Sequence, residues 1–412
     1  MKNPLIPRSG SFRPILIALP LLAAFPMSAL AATYYIAPTG SDSNPGTQAS
    51  PFKSITKAQS VASSGDTVTI RGGTYSGFTI AGSDSNYNFV HNLTKSGITY
   101  TNFTGETPVF NFAGTTTAKR VAAFHIASGV TVTIRGITIT GVPVGTQKQS
   151  ECFRIEGHPT FDRVTCHDNA ANGFYFTIHA SGSCTNCDSY NNIGTGTSLG
   201  NTDGFGAHAD GGGVTFTTCR SWHNSDDGYD CISSNSANTF DHCWAYNMTA
   251  GGDSNGFKIG GYGTGTPPSN PPVHTVKFCL SAANNSNGFY ANHQPGQAAT
   301  WTSNTAYNNH GSGNFNMLER VSPTDATDIP GTREVFHNNI AFTGTIIAND
   351  NNPAANKTNN SWTKSGVTVN SADFQSLDAT QMTQARQSSG ALPNITFMHL
   401  VSGSDLAGLG CF

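Results

Sequence analysis

Asn201-Thr202-Asp203-Gly204-Phe205, Ser225-Asp226-Asp227-Gly228-Tyr229-Asp230 and Ser254-Asn255-Gly256-Phe257-Lys258-Ile259-Gly260-Gly261 are three versions of one pattern. In each, a polar or acidic residue precedes Gly, an aromatic and a variable residue. Aligned on the Gly-aromatic step, the pattern extends back to Phe174 and on to Phe289. Phe315 is a degenerate copy in which Asn314 replaces the glycine. Successive aromatics lie 24 to 32 residues apart. A second landmark precedes each step: Cys166, Cys187, Cys219, Cys243, Cys279 and then Asn304. Tyr190, Trp222, Tyr246 and Tyr307 follow their landmarks by three residues, and Asn-rich turns come next.

A period of this length, built only from short β segments, is too short for βαβ units. It suits coils of a parallel β-helix, in which like residues stack about 4.8 Å apart. Inward aromatics then form a column, and Asn191-Asn192, Asn224, Asn247, Asn284-Asn285 and Asn308-Asn309 can form a ladder along the turns. A β-sandwich does not explain repeats locked in register. The repeat is clearest from about residue 160 to Phe342 within a single β-helix over 32–412, with a C-terminal cover over 343–412 that includes Leu392 to Leu406.

Upstream, Thr33-Tyr34-Tyr35-Ile36-Ala37, Thr67-Val68-Thr69-Ile70, Val130 to Ile134 and Gly136 to Thr140 alternate like strands, and Phe78-Thr79-Ile80 is a shorter piece. Pro51 is expected to open an amphipathic helix reaching Ala62, with Phe52, Ile55, Ala58, Val61 and Ala62 on its apolar face. That helix would cap the open end of the coil, which otherwise exposes unpaired strand edges. The N-terminus reads as a signal peptide: Lys2, Arg8 and Arg13, an apolar run from Ile15 to Phe25, and an Ala29-Leu30-Ala31 cleavage site. This predicts a single secreted domain over 32–412, extracellular or periplasmic, acting as a monomer without a membrane span.

Charged residues are 11% of the chain, against about 25% in ordinary globular proteins. With 25 Phe the chain is too aromatic for disorder. A net charge of −3 leaves no footprint for nucleic acid. Nine cysteines permit disulfides but leave an odd one. Cys184-x-x-Cys187 lacks the second pair of a zinc site, so disulfides or a buried cysteine stack are expected, with Cys219 and Cys243 in contact. Gly252-Asp253-Ser254-Asn255-Gly256 matches a nucleophile elbow but no helix pattern follows, so the match reads as chance.

The register assigns side chains to faces. If each step aromatic points in, the residue after it points out. Asp203 and Asp227 then stack on neighbouring coils with Asp226 beside them, and Asp230 and Lys258 share one outward position. Four carboxylates this close repel unless a cation neutralises them, and oxygen-only ligands point to Ca²⁺. Singly, each aspartate reads as an Asx-turn corner and Lys258 as a solvated lysine; convergence across coils favours the site. Asn255 is expected in the ladder rather than in catalysis, and His208 either touches substrate or caps a turn, the turn being favoured.

These residues resemble the family 9 pectate lyases. The resemblance rests on Asn224-Ser225-Asp226-Asp227-Gly228-Tyr229-Asp230, Thr202-Asp203-Gly204-Phe205 and Asn255 to Gly261. It extends to Tyr34-Tyr35-Ile36-Ala37-Pro38, Gly72-Gly73-Thr74-Tyr75, Asp373-Phe374, Ala385-Arg386-Gln387 and Leu392-Pro393. It implies a right-handed parallel β-helix, Ca²⁺ held by Asp203, Asp226, Asp227 and Asp230, and Lys258 as base. The chain departs from the family at Gly206-Ala207-His208, where small residues and a lysine are usual. The implied activity is cleavage of polygalacturonate by β-elimination, with an alkaline optimum because a free lysine titrates near 10.4. The rivals are a family 28 polygalacturonase-type hydrolase, whose Gly-His-Gly and Arg-Ile-Lys signatures are absent, a lyase acting on rhamnogalacturonan, and a non-catalytic polysaccharide-binding β-helix.

Overall fold

The computed structural model describes residues 1–2, 4–5, 10 and 30–412, apart from 116–117, 146–148, 250, 264 and 330–333. Of the expected leader over 1–31, residues 3, 6–9 and 11–29 fall outside the described residues. Met1–Ala31 and Ala32–Phe412 separate as two units, and the second holds all the described sheet structure. Among the described residues no helix is long and apolar enough to cross a membrane.

The second unit winds into a parallel β-helix with three long faces. A 12-stranded sheet runs from Thr33–Ile36 to Lys357–Thr358, and a 10-stranded sheet from Gly73–Tyr75 to Ile340–Phe342. An 11-stranded sheet, from Gly82–Ser83 to Ile347–Ala348, carries the Gly-aromatic steps. Its register pairs Phe174 with Phe205, Phe205 with Tyr229, Tyr229 with Phe257, Phe257 with Phe289 and Phe289 with Phe315. The rings form the expected inward column, with centroids 4.6 to 5.0 Å apart. Each such pair adds about 0.5–1.5 kcal/mol beyond area burial. Trp362 packs on Phe315 at the C-terminal end of the column, at 5.1 Å.

The glycine of each step answers to crowding between coils. A Cβ at Gly204 would lie 2.1 Å from Ser221 Oγ, and one at Gly256 would lie 2.2 Å from Ser281 Oγ. The asparagines divide into two jobs. Asn191, Asn247 and Asn308 take the left-handed turn conformation, with φ of 52°, 49° and 50°, which asparagine tolerates better than most residues. Asn192, Asn224, Asn284 and Asn309 are buried, and Asn192 Nδ2 donates to Asn224 Oδ1 at 3.0 Å. Met248 interrupts the ladder between Asn224 and Asn284.

Several boundaries differ from the expectation. The coil extends N-terminal to the stretch where the repeat is clearest: Phe124 and Phe153 already stand in the column, at 5.2 Å from each other and 5.2 Å from the next ring. Neither follows a glycine, so the sequence pattern hides them. The helix is Ile55–Val61 rather than one opened by Pro51. Ser54 caps it by accepting from Lys57 N at 3.0 Å, while Phe52 is held in a bridge to Ile36. Phe78-Thr79-Ile80 forms no strand; Phe78 packs instead against His91 and Phe112. Strands at Ile347–Ala348 and Lys357–Thr358 add a further turn inside the segment expected as cover.

The tail beyond that turn lies on the 10-stranded sheet, where Phe374, Met382, Phe397, Leu406 and Leu409 cluster with Trp244, Leu280 and Ile340. Asp188, Arg220 and Arg386 fasten it. Arg386 Nη2 donates to Asp188 Oδ1 at 2.7 Å, and Arg220 Nη2 to Asp188 Oδ2 at 2.8 Å. Burial alone would raise the Asp188 pKa, but Arg220 and Arg386 reverse it and hold the carboxyl below its ordinary value. Its stabilisation is therefore full above the unfolded carboxylate pKa and lost as pH falls through the depressed one. Arg386→Ala breaks a buried charge network and is expected to cost about 3–5 kcal/mol. Urea unfolding at pH 7 measures this, and unchanged stability would refute it. All nine cysteines are free and buried, which settles the choice in favour of a buried stack: Cys243 N donates to Cys279 Sγ at 3.4 Å.

Candidate active site

The outward positions of the 11-stranded sheet form a row along the coil. Arg154, Tyr175, Gly206, Asp230, Lys258, Tyr290 and Asn316 pair successively in register. Asp230 and Lys258 thus share the outward position expected of them. Just before the strands Phe205–Ala207 and Tyr229–Asp230, Asp203 and Asp227 stack, with Asp227 N donating to Asp203 Oδ1 at 3.1 Å.

Each aspartate is fixed by one oxygen. Asp227 Oδ1 accepts from Asn255 N and Nδ2, both at 2.8 Å, and Asp230 Oδ1 accepts from Ile232 N at 2.7 Å. Asp226 Oδ1 accepts from Asp253 N at 2.6 Å. Asn255 lies outside the ladder of Asn192, Asn224, Asn284 and Asn309; it belongs to a second row, where its Oδ1 accepts from Asn287 Nδ2 at 2.8 Å. The same residue holds Asp227, so this second row runs into the site. His208 does more than sit at a turn. Its Nδ1 donates to Ile232 O at 2.6 Å, and Ile232 in turn fixes Asp230. A Cβ at Gly206 would lie 2.7 Å from His208 Nε2, so the departure at Gly206-Ala207-His208 works as a set.

The four expected metal ligands divide into two overlapping groups. Asp203, Asp227 and Asp230 each bring an oxygen within 4.8 Å of the others; so do Asp226, Asp227 and Asp253. Asp227 belongs to both. Its side chain is 0% exposed, and its Oδ2 receives no well-aligned hydrogen bond although Lys258 Nζ stands 3.1 Å away. A dense, oxygen-only donor set with an under-coordinated buried carboxylate fits a hard cation such as Ca²⁺.

Electrostatics describe the same strain. Burial, then repulsion from Asp226, Asp230 and Asp227, pushes Asp203 well above the usual carboxylate range. Burial and Asp227 likewise raise Asp226. Lys258 Nζ lies 2.8 Å from Asp253 Oδ2 and 3.4 Å from Asp230 Oδ2 as well as close to Asp227. Burial lowers its pKa, yet the three carboxylates more than offset that and hold the ammonium well above its ordinary value. The lysine is the cation inside this carboxylate cage.

Two neighbours escaped the sequence reading. Asp253 sits within the Gly252-Asp253-Ser254-Asn255-Gly256 run; its position five residues before Lys258 was the available signal. Arg320 reaches the site on a hairpin, Arg320–Ser322 paired with Asp325–Asp328, far along the chain. No local pattern marks it.

The coil thus carries an acidic cluster and a lysine together on one face. A family model described as Pel9A-like, right handed beta helix region matches residues 34–360, so the chain belongs to the family 9 pectate lyases and is a polysaccharide lyase. Pectate lyase L of Dickeya chrysanthemi is 27% identical over 411 residues, covering 92% of this chain and 85% of that protein. Pectate lyase PEL9 of Emericella nidulans is 29% identical over 329 residues, covering 70% and 75%. A solved rhamnogalacturonan lyase is 32% identical with a TM-score of 0.83, covering 92% of this chain and 100% of its own. Pectate lyase Pel9A, at 24% identity and TM-score 0.72 over 92% and 91%, shares the fold.

Proposed function

We propose that this chain is a secreted, Ca²⁺-dependent pectate lyase that cleaves α-1,4-galacturonan by β-elimination, with Lys258 as base. The observation that carries this reading is Lys258 seated among Asp227, Asp230 and Asp253 on consecutive coils. Asp203, Asp226, Asp227 and Asp230 would hold the Ca²⁺. When bound, the ion neutralises the carboxylate cluster and, as a Lewis acid, draws charge from the C6 carboxylate of a galacturonate.

Lys258 supplies the rest. In its neutral form its Nζ takes the C5 proton, the C5–H electron pair becomes the C4–C5 double bond, and the C4–O bond breaks. The departing oxygen takes a proton from solvent. Asp227 and Asp230, anchored through their other oxygens, aim Nζ along the open row. His208 braces the turn behind Asp230.

A second reading, the same chemistry on a rhamnogalacturonan backbone, is favoured by the 32% identity to the solved rhamnogalacturonan lyase. The decisive assay incubates the protein, with Ca²⁺ or with a chelator, on polygalacturonate and on rhamnogalacturonan. An ultraviolet-absorbing unsaturated product that vanishes with chelator is expected on polygalacturonate. Saturated reducing ends that survive chelation would instead establish the hydrolase, and product on rhamnogalacturonan alone would establish the second reading.

A further inference from the structure

Lys258 and Asp253 form one side of a polar cavity of about 140 Å³, and Arg320, Tyr262, Asn292 and Gln294 form much of the rest. Arg320 enters it from the hairpin that lies over the face of the coil. Its Nη2 donates to Tyr290 Oη at 3.1 Å, its Nη1 reaches Pro323 O at 3.5 Å, and its Nε has no partner. A guanidinium offers five donors, and the bonds Arg320 makes go to a phenol and a carbonyl rather than to a carboxylate. Gln294, 2% exposed, also leaves Oε1 without a partner. A guanidinium with donors to spare, in one polar cavity beside Lys258, matches an acid group on a bound sugar.

The register says which sugar. Tyr290, which holds Arg320, is the in-register neighbour of Lys258 on the following coil. The carboxylate that meets the aspartate cluster belongs to the uronate losing its C5 proton. Arg320 stands one coil further on.

We propose that Arg320, steadied by Tyr290, binds the carboxylate of the uronate adjacent to the one that Lys258 deprotonates. The assignment rests on the lyase reading above and deepens it. A polymer of consecutive uronates fills both acid positions; one that alternates uronate with a neutral sugar leaves Arg320 facing a neutral residue. Arg320 is thereby a specificity-determining residue.

The test compares wild type, Arg320→Ala and Arg320→Lys, all with Ca²⁺, on polygalacturonate, its methyl ester and rhamnogalacturonan. Trigalacturonate binding is measured by calorimetry on Lys258→Ala and on Lys258→Ala combined with Arg320→Ala. Removing a charge-assisted bond is expected to raise KM on polygalacturonate about ten- to a hundredfold, with kcat little changed. Trigalacturonate should weaken by the same factor in the double variant. Lysine, which keeps the charge but not the fork, should restore part of the loss, and esterification should erase the difference between wild type and Arg320→Ala. If Arg320→Ala melts early, Arg320→Lys and the ester comparison carry the test. Unchanged KM and unchanged trigalacturonate affinity, while wild type still releases unsaturated product, would overturn the role of Arg320 and leave the lyase reading standing. A wild type that forms no unsaturated product, with Lys258→Ala failing to bind trigalacturonate, would overturn both.

Discussion

Lys258→Ala is expected to lower kcat by about 10²–10⁴-fold, the usual worth of a positioned proton acceptor, while Ca²⁺ binding becomes tighter rather than weaker. The second half follows from the cage. Lys258 Nζ faces Asp227 Oδ2 at 3.1 Å and Asp230 Oδ2 at 3.4 Å, so ammonium and metal compete for the same oxygens. Removing the ammonium takes away the competitor along with the base. Lys258→Arg separates the two effects, because a guanidinium stays charged at any working pH: it fills the cage, cannot accept the proton, and should be as inactive as the alanine variant without its gain in Ca²⁺ affinity. Steady-state rates and a Ca²⁺ titration followed by thermal shift test this pair together. Retained activity in Lys258→Ala would remove lysine as the base, and the wild-type rate should climb into the alkaline range, where the neutral amine is more abundant.

Asp227→Asn is the second large effect. Asp227 alone belongs to both oxygen groups, its side chain is fully buried, and Asn255 fixes it from two nitrogens. Its loss should abolish Ca²⁺-dependent activity and also the Ca²⁺-dependent rise in melting temperature. That rise corresponds to about 2.7 kcal/mol at a hundredfold excess over Kd. The variant should have a distinct pH profile without metal. Burial pushes the Asp227 carboxyl up to about 6, against the opposing pull of Lys258. A carboxylate with a raised folded pKa withdraws stability as pH climbs from its unfolded value near 4 through that folded value. Metal-free wild type should therefore lose stability between about pH 4 and 6 along a slope that Asp227→Asn flattens. A variant that still melts later with Ca²⁺ would show that the cation sits elsewhere.

The parts of the protein legible in sequence are those where one residue type repeats for one physical reason. Glycine recurs before Phe205 and Phe257 because the next coil leaves no room for a Cβ. That recurrence sets the register, and the register alone brings Asp203, Asp227, Asp230 and Lys258 together. Phe124 and Phe153 occupy the same column without the glycine, so the repeat pattern does not mark the early coils. The helix start was misplaced because Pro51 satisfies a general preference, whereas Ser54 supplies the actual cap. Asp253 and Arg320 come from loops between strands, where spacing follows no period. Asp226 shows the limit most sharply: its oxygen groups with Asp227, as adjacency suggested, but the third member of that group, Asp253, comes from a loop that no period marks.

That contrast divides the labour within each coil. The aromatic column keeps its 4.6 to 5.0 Å spacing although the coils between successive rings range from 24 to 32 residues. Length changes are absorbed in the loops, leaving the strands and the carboxylates they carry where they are. The positions of Asp230 and Lys258 on paired strands are therefore insulated from insertions and deletions, whereas the hairpin bearing Arg320 is not. Such a scaffold can change its loops while the spacing of its central side chains stays fixed.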